Sequence, residues 1–184
     1  MNKVALAFLL SVAICGSGLS ADRQAPAAAA KTVVVFETER GTFEIEFFPA
    51  DAPKSVAHLM DLFKQGFYRG LRFHRVTASL VQIGDPQTRN FRNEAGWGTG
   101  NSGSPIGVAE VSKTRKHVRG SVGLANTGDP KYADSQFYIM KVASPSLDGK
   151  YAIVGQVIKG MEVVDKLQRP DVLKNATIKA AAQK

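Results

Sequence analysis

Residues 71–85 read LRFHRVTASLVQIGD, and the reading of this stretch decides the fold. Val, Phe, Leu and Ile alternate loosely with polar residues on both sides of Ala78-Ser79, and Gly84-Asp85-Pro86 ends the run. That pattern predicts two short strands joined by a bend. Two groups in it do not belong on an ordinary strand. Arg75 carries a permanent charge and five donors among apolar neighbours, and Gln82 follows Leu80 and Val81. A second stretch, residues 124–141, reads LANTGDPKYADSQFYIMK, where a period of two places Gln136 and Tyr138 on one side of a strand. Together the two stretches offer fixed donors beside a small apolar surface.

Four segments carry a family likeness. FHRV at 73–76, QIGDP at 82–86, SQFYI at 135–139 and LDGKYAIVGQV at 147–157 resemble, in order, the signature segments of the cyclophilin-type peptidyl-prolyl cis-trans isomerases. The likeness runs from Thr32 to Ile178. It implies a mainly β fold, a closed eight-stranded antiparallel barrel capped by two α-helices. It also implies a cofactor-independent enzyme that turns X-Pro peptide bonds, with proline-containing segments of unfolded or exported proteins as partners. By resemblance Arg75 is the donor at the prolyl nitrogen. Leu80, Val81, Tyr138 and Leu147 line the proline pocket, with Tyr151 at its rim. Gln82, Gln136 and the backbone around Ala125 and Asn126 hold the peptide, and His74 is a structural hydrogen-bonder.

The chain departs from the family pattern in places. Ala78-Ser79-Leu80 stands where members usually carry Pro-Gly-Phe or Pro-Asn-Phe, and the interval from Arg75 to Gln82 is one residue short. The pocket floor is therefore expected to be shallower, and the places of Leu80 and Val81 are open to a slip of one. Ser146 occupies a position where relatives often have Trp or Phe, which argues against cyclosporin binding, and Tyr138 replaces a common Phe. These changes leave a second reading open: a barrel that kept the groove, lost most turnover and holds proline-containing segments as a chaperone.

Working outward, 184 residues at 44% hydrophobic content suffice for one domain with its own core. Residues 1–20 read as a secretory signal peptide, with Lys3 before an apolar run too short to span a bilayer and small residues at Gly18 and Ser20. Residues 21–31 are an Ala-rich linker interrupted by Pro26, and 32–184 form the isomerase domain. A periplasmic or secreted protein with no membrane span after cleavage is the expectation. Lipidation at Cys15 is the weaker alternative, because Ile14 is large where a lipoprotein box needs a small residue. Cleavage near Ser20 removes the single cysteine, and with it any thiolate metal site; no metal and no cofactor are expected.

Within the domain, 32–38 and 42–47 form a hairpin through Arg40-Gly41, since Phe43, Ile45 and Phe47 alternate with Glu44 and Glu46. Val56, Leu59, Met60 and Phe63 mark one amphipathic helix that starts near Pro53 and stops at Gly66, with His58 off the stripe and read as a surface residue. Residues 87–107 lose periodicity. Gly98 to Gly103 formally matches a dinucleotide fingerprint, but neither a strand nor a helix flanks it, so it reads as loop. Strands follow at 121–124, 136–142 and 151–158, then a helix at 161–167 and a closing strand at 177–180. The net charge is +8, and Lys113, Arg115, Lys116, His117 and Arg119 form a basic run that reads as a solvated face. Aromatic residues do not interleave with it, so nucleic-acid stacking is not expected. The protein is expected to be a monomer.

Overall fold

The computed structural model describes residues 32–179. The signal peptide, the linker, Cys15 and the last residue of the strand expected at 177–180 lie outside them. The elements run β1 Thr32–Thr38, β2 Gly41–Phe47, α1 Pro53–Lys64, β3 Arg75–Val76, β4 Leu80–Ile83, β5 Ser121–Leu124, β6 Phe137–Met140, β7 Ile153–Lys159, α2 Met161–Lys166 and β8 Leu173–Ile178. All eight strands join one antiparallel sheet in the order β3-β4-β6-β5-β7-β2-β1-β8.

The sheet curls into a half-barrel. No ladder joins its end strands β3 and β8; the seam is held just before them. Arg72 bridges Val172, and Phe73 donates its backbone N–H to the Asp171 carbonyl at 3.0 Å. The last strand begins at Leu173, four residues earlier than the sequence pattern suggests. Lys174 and Asn175 hide it, being poor strand formers; Asn175 pairs with Glu37 of β1, and Lys174 sits unpaired at the register shift beside it.

The alternation in β1 and β2 sends Val34, Phe36, Phe43, Ile45 and Phe47 inward. Phe36 and Phe43 stack with centroids 4.9 Å apart, and Phe63 of α1 meets Phe36 edge-on at 5.5 Å. Such contacts add about 0.5–1.5 kcal/mol per pair beyond area burial. The stripe Val56, Leu59, Met60 and Phe63 is the buried face of α1, as its spacing requires. Ala52 at the N-cap offers no side-chain acceptor, so the carboxylate of distant Glu110 accepts from Lys54 N at 3.0 Å and Ser55 N at 2.7 Å. Among the described residues no helix is long and apolar enough to cross a membrane.

The aperiodic stretch 87–107 is not wholly irregular. Short 3-10 turns form at Pro86–Arg89 and Phe91–Gly96. Buried Asp85 anchors the segment by accepting from Gln87 N, Gly98 N and Gly100 N. His58 differs from the surface reading: its Nε2 lies 3.0 Å from Asp134, a buried carboxylate that also accepts from Ser102 Oγ and from the backbone of Gly103 and Ser104.

Candidate active site

The bend between β3 and β4 is built by Thr77, whose Oγ1 accepts from Ser79 N at 3.2 Å and Leu80 N at 3.1 Å. This side-chain turn stands in for the missing proline and brings Arg75 directly opposite Gln82. Period two then sorts the strand. Leu80 and Gln82 join Tyr138 and Met140 on the outer face, while Val81 and Ile83 pair with Ile139 and Phe137 inside the core.

The outer face holds a cavity of about 200 Å³ lined by Arg75, Leu80, Gln82, Ala125, Asn126, Tyr138, Leu147 and Tyr151. That is below the roughly 300–1,000 Å³ of sites for drug-sized ligands and suits one small ring. Val81 is the correction to the expected lining. It is 1% exposed and belongs to the barrel core, because a strand residue cannot share a face with its neighbour. Gln136 lines a second cavity of about 310 Å³ with Gly98, Thr99, Asn101, Thr127 and Tyr132, and the two cavities share Gln82, Ala125 and Asn126. They form one groove, long enough for a peptide rather than a single residue.

A relay of side chains runs along the floor. Arg75 donates to Gln82 Oε1 at 3.4 Å, Gln82 donates to Gln136 Oε1 at 2.8 Å, and Gln136 donates to the carbonyls of Gly98 at 3.0 Å and Gly100 at 2.7 Å. Each amide is used in both directions, which fixes its flip and steadies the guanidinium.

The sequence matches the family described as "Cyclophilin type peptidyl-prolyl cis-trans isomerase/CLD" over residues 33–182. The chain belongs to the cyclophilin-type peptidyl-prolyl cis-trans isomerase family. A Brucella abortus protein named "Probable peptidyl-prolyl cis-trans isomerase" is 37% identical over 175 residues, covering 93% of this chain and 89% of its own. A Helicobacter pylori peptidyl-prolyl cis-trans isomerase is 35% identical, covering 83% of this chain and 90% of its own. The crystal structure of a Cryptosporidium parvum cyclophilin-type isomerase superposes with a TM-score of 0.71 at 25% identity, covering 82% of this chain and 98% of that one. Cyclophilins act without a cofactor, and the eight-stranded half-barrel found here is their fold.

Beneath the cyclophilin groove lies a group that sequence reading missed. His117 has a fully buried side chain. Its Nε2 lies 2.9 Å from the Tyr138 hydroxyl and its Nδ1 2.9 Å from Asp148 Oδ1, and its ring stacks on Tyr138 with centroids 6.0 Å apart. The hydroxyl reaches it by passing over Gly123, directly opposite Tyr138 on β5, where a side chain would overlap the phenol. Burial pushes the Tyr138 phenol well up, so it is a protonated donor at neutral pH. Asp148 is held below the usual carboxylate range, first by the His117 backbone N–H and then by its ring.

Apart from His117, the basic run faces solvent, as read from the sequence, and three of its charges are paired. Arg115 pairs with Asp51 at 2.7 Å while lying 3.8 Å over the Phe48 ring, Arg119 pairs with Asp165, and Lys116 reaches Asp148 at 3.6 Å. His74 also departs from expectation. It is buried, and neither ring nitrogen meets hydrogen-bond geometry among the described residues; burial lowers its pKa, outweighing the nearby Asp85 charge and Gln136 amide that raise it.

Proposed function

We propose that this cyclophilin assists folding of exported proteins outside the cytoplasm by turning their X-Pro bonds in the groove, with Arg75 as the catalytic donor. The peptide bond resists rotation by about 18–20 kcal/mol because resonance stiffens the C–N link. Halfway round, the nitrogen becomes pyramidal and regains its lone pair, while the carbonyl loses negative charge. A donor aimed at that nitrogen stabilises the twisted state more than either planar one.

Arg75 lining the apolar hollow beside Gln82 is the observation that carries the reading. Leu80, Tyr138 and Leu147 grip the ring, with Tyr151 closing the side. Gln82, Gln136 and the Ala125-Asn126 segment hold the flanking backbone. Accelerating exchange by five decades requires about 7 kcal/mol. One charged hydrogen bond supplies only about 1.5–3 kcal/mol. The pocket must contribute the rest by holding the ring while the flanking chain twists and by excluding water.

Location outside the cytoplasm rests on residues 1–20, and a single copy of the groove accounts for the chemistry in a monomer. Fusing residues 1–31 to a reporter phosphatase that is active only after export should give an active reporter; an inactive one overturns the exported assignment. Exchange spectroscopy on a short proline peptide tests catalysis. The isomerase adds cis-trans exchange to both resonances, whereas a groove that binds without turning shifts them and adds none.

A further inference from the structure

We propose that His117 is a positioning residue that sets the width of the proline pocket, acting through a fixed Asp148–His117–Tyr138 chain; this rests on the groove being the isomerase site. Three observations carry it. The imidazole touches both sides of the hollow: Tyr138 forms the floor, and Asp148 directly follows Leu147, which forms a wall. The same residue fastens that wall through its backbone, His117 N donating to Asp148 Oδ1 at 2.8 Å and Ser144 N donating to the His117 carbonyl at 2.8 Å. Tyr151, at the third side, meets the imidazole edge-on at 6.3 Å and Tyr138 edge-on at 5.8 Å.

The carboxylate of Asp148 only accepts, so Nδ1 carries a proton; in the proposed arrangement Nε2 is bare and accepts from the Tyr138 hydroxyl. The phenol is thereby turned away from the substrate, and the extra oxygen of Tyr relative to Phe adds no polar group to the hollow. Gly123 supplies the passage and His117 the terminus, so the three residues work only as a set.

The test combines a spectroscopic readout on the unaltered full chain with paired substitutions. Long-range proton–nitrogen correlation of the His117 ring should report a protonated Nδ1 and a bare Nε2; a proton on Nε2, in the reverse tautomer or in a doubly protonated ring, overturns the proposal. His117→Asn keeps a donor at the Nδ1 place but cannot reach Tyr138, and should lower kcat/KM about fivefold, the worth of one buried hydrogen bond. His117→Gln reaches the Nε2 place and should stay within about twofold of the parent. Tyr138→Phe should cost as much as His117→Asn, and the double variant no more than either alone.

Equal losses in the Asn and Gln variants, or additive losses in the double, would show a merely structural histidine. Urea midpoints on the same samples separate pocket geometry from stability. Absence of turnover in the unaltered chain would overturn the isomerase reading alone, because the tautomer is measured with no substrate present.

Discussion

Arg75 and Gln82 face each other across the two-residue β3 ladder, with Nη1 3.4 Å from the amide oxygen. The contact is long because Gln82 is held more firmly from the other side, by Gln136 at 2.8 Å. The guanidinium is thus steered without being consumed, and its remaining N–H groups have no partner among the described residues and can reach a prolyl nitrogen.

Arg75→Ala should lower turnover of a short proline peptide at least tenfold and leave the circular dichroism spectrum unchanged, since the side chain is exposed at the groove rim. Arg75→Lys should also lose activity, because a point charge lacks the planar fork that Gln82 orients. Equal rates in a coupled isomerisation assay would refute the donor role.

Gln136→Ala should weaken peptide binding and stability together. It releases Gln82 and removes the hydrogen bonds to the carbonyls of Gly98 and Gly100, each worth about 0.5–1.5 kcal/mol net. A variant with parental peptide affinity and parental urea midpoint contradicts the relay.

Gly123→Ala should reduce kcat/KM by about tenfold or more, because the added carbon overlaps the Tyr138 ring and forces it into the hollow. Phe in place of Tyr138 should not restore activity, as the overlap includes ring carbons. Titration with a proline peptide reads the loss directly.

Asp134 should govern acid unfolding. Burial pushes its carboxyl up, but hydrogen bonds from His58 and Ser102 and the nearby His58 charge outweigh this and hold it below the ordinary range. A carboxylate depressed in the fold contributes stability that is present above its unfolded value of about 3.9 and is lost as pH falls through the folded one. Asp134→Asn should therefore lower stability at neutral pH and flatten the decline below pH about 4. An unchanged acid limb in pH-dependent urea titrations would count against this.

Glu110→Ala should cost about 1 kcal/mol, the usual worth of an N-terminal cap. It removes the acceptor for both Lys54 N and Ser55 N at the start of α1, and the loss should appear in the unfolding midpoint but not in activity.

Much of this was legible before folding. Alternation announced β1 and β2, the i, i+3, i+4, i+7 stripe announced α1, and period two placed Gln136 and Tyr138 on one face. The likeness of FHRV, QIGDP and SQFYI then named the family, and the match over residues 33–182 bears it out. These are properties of neighbours in sequence, where covalent geometry alone dictates which side chains share a face.

Tertiary structure decided the rest. Only the ladder to β6 showed that Leu80 faces the groove and Val81 the core. His117 read as one more cation because its partners lie 21 and 31 residues away. His58 read as surface because Asp134 is 76 residues on, and the Glu110 cap of α1 went unread because it lies 56 residues beyond Lys54. A periodic pattern states which face a residue takes; what stands opposite that face is set by how the sheet curls, and no local spacing records it.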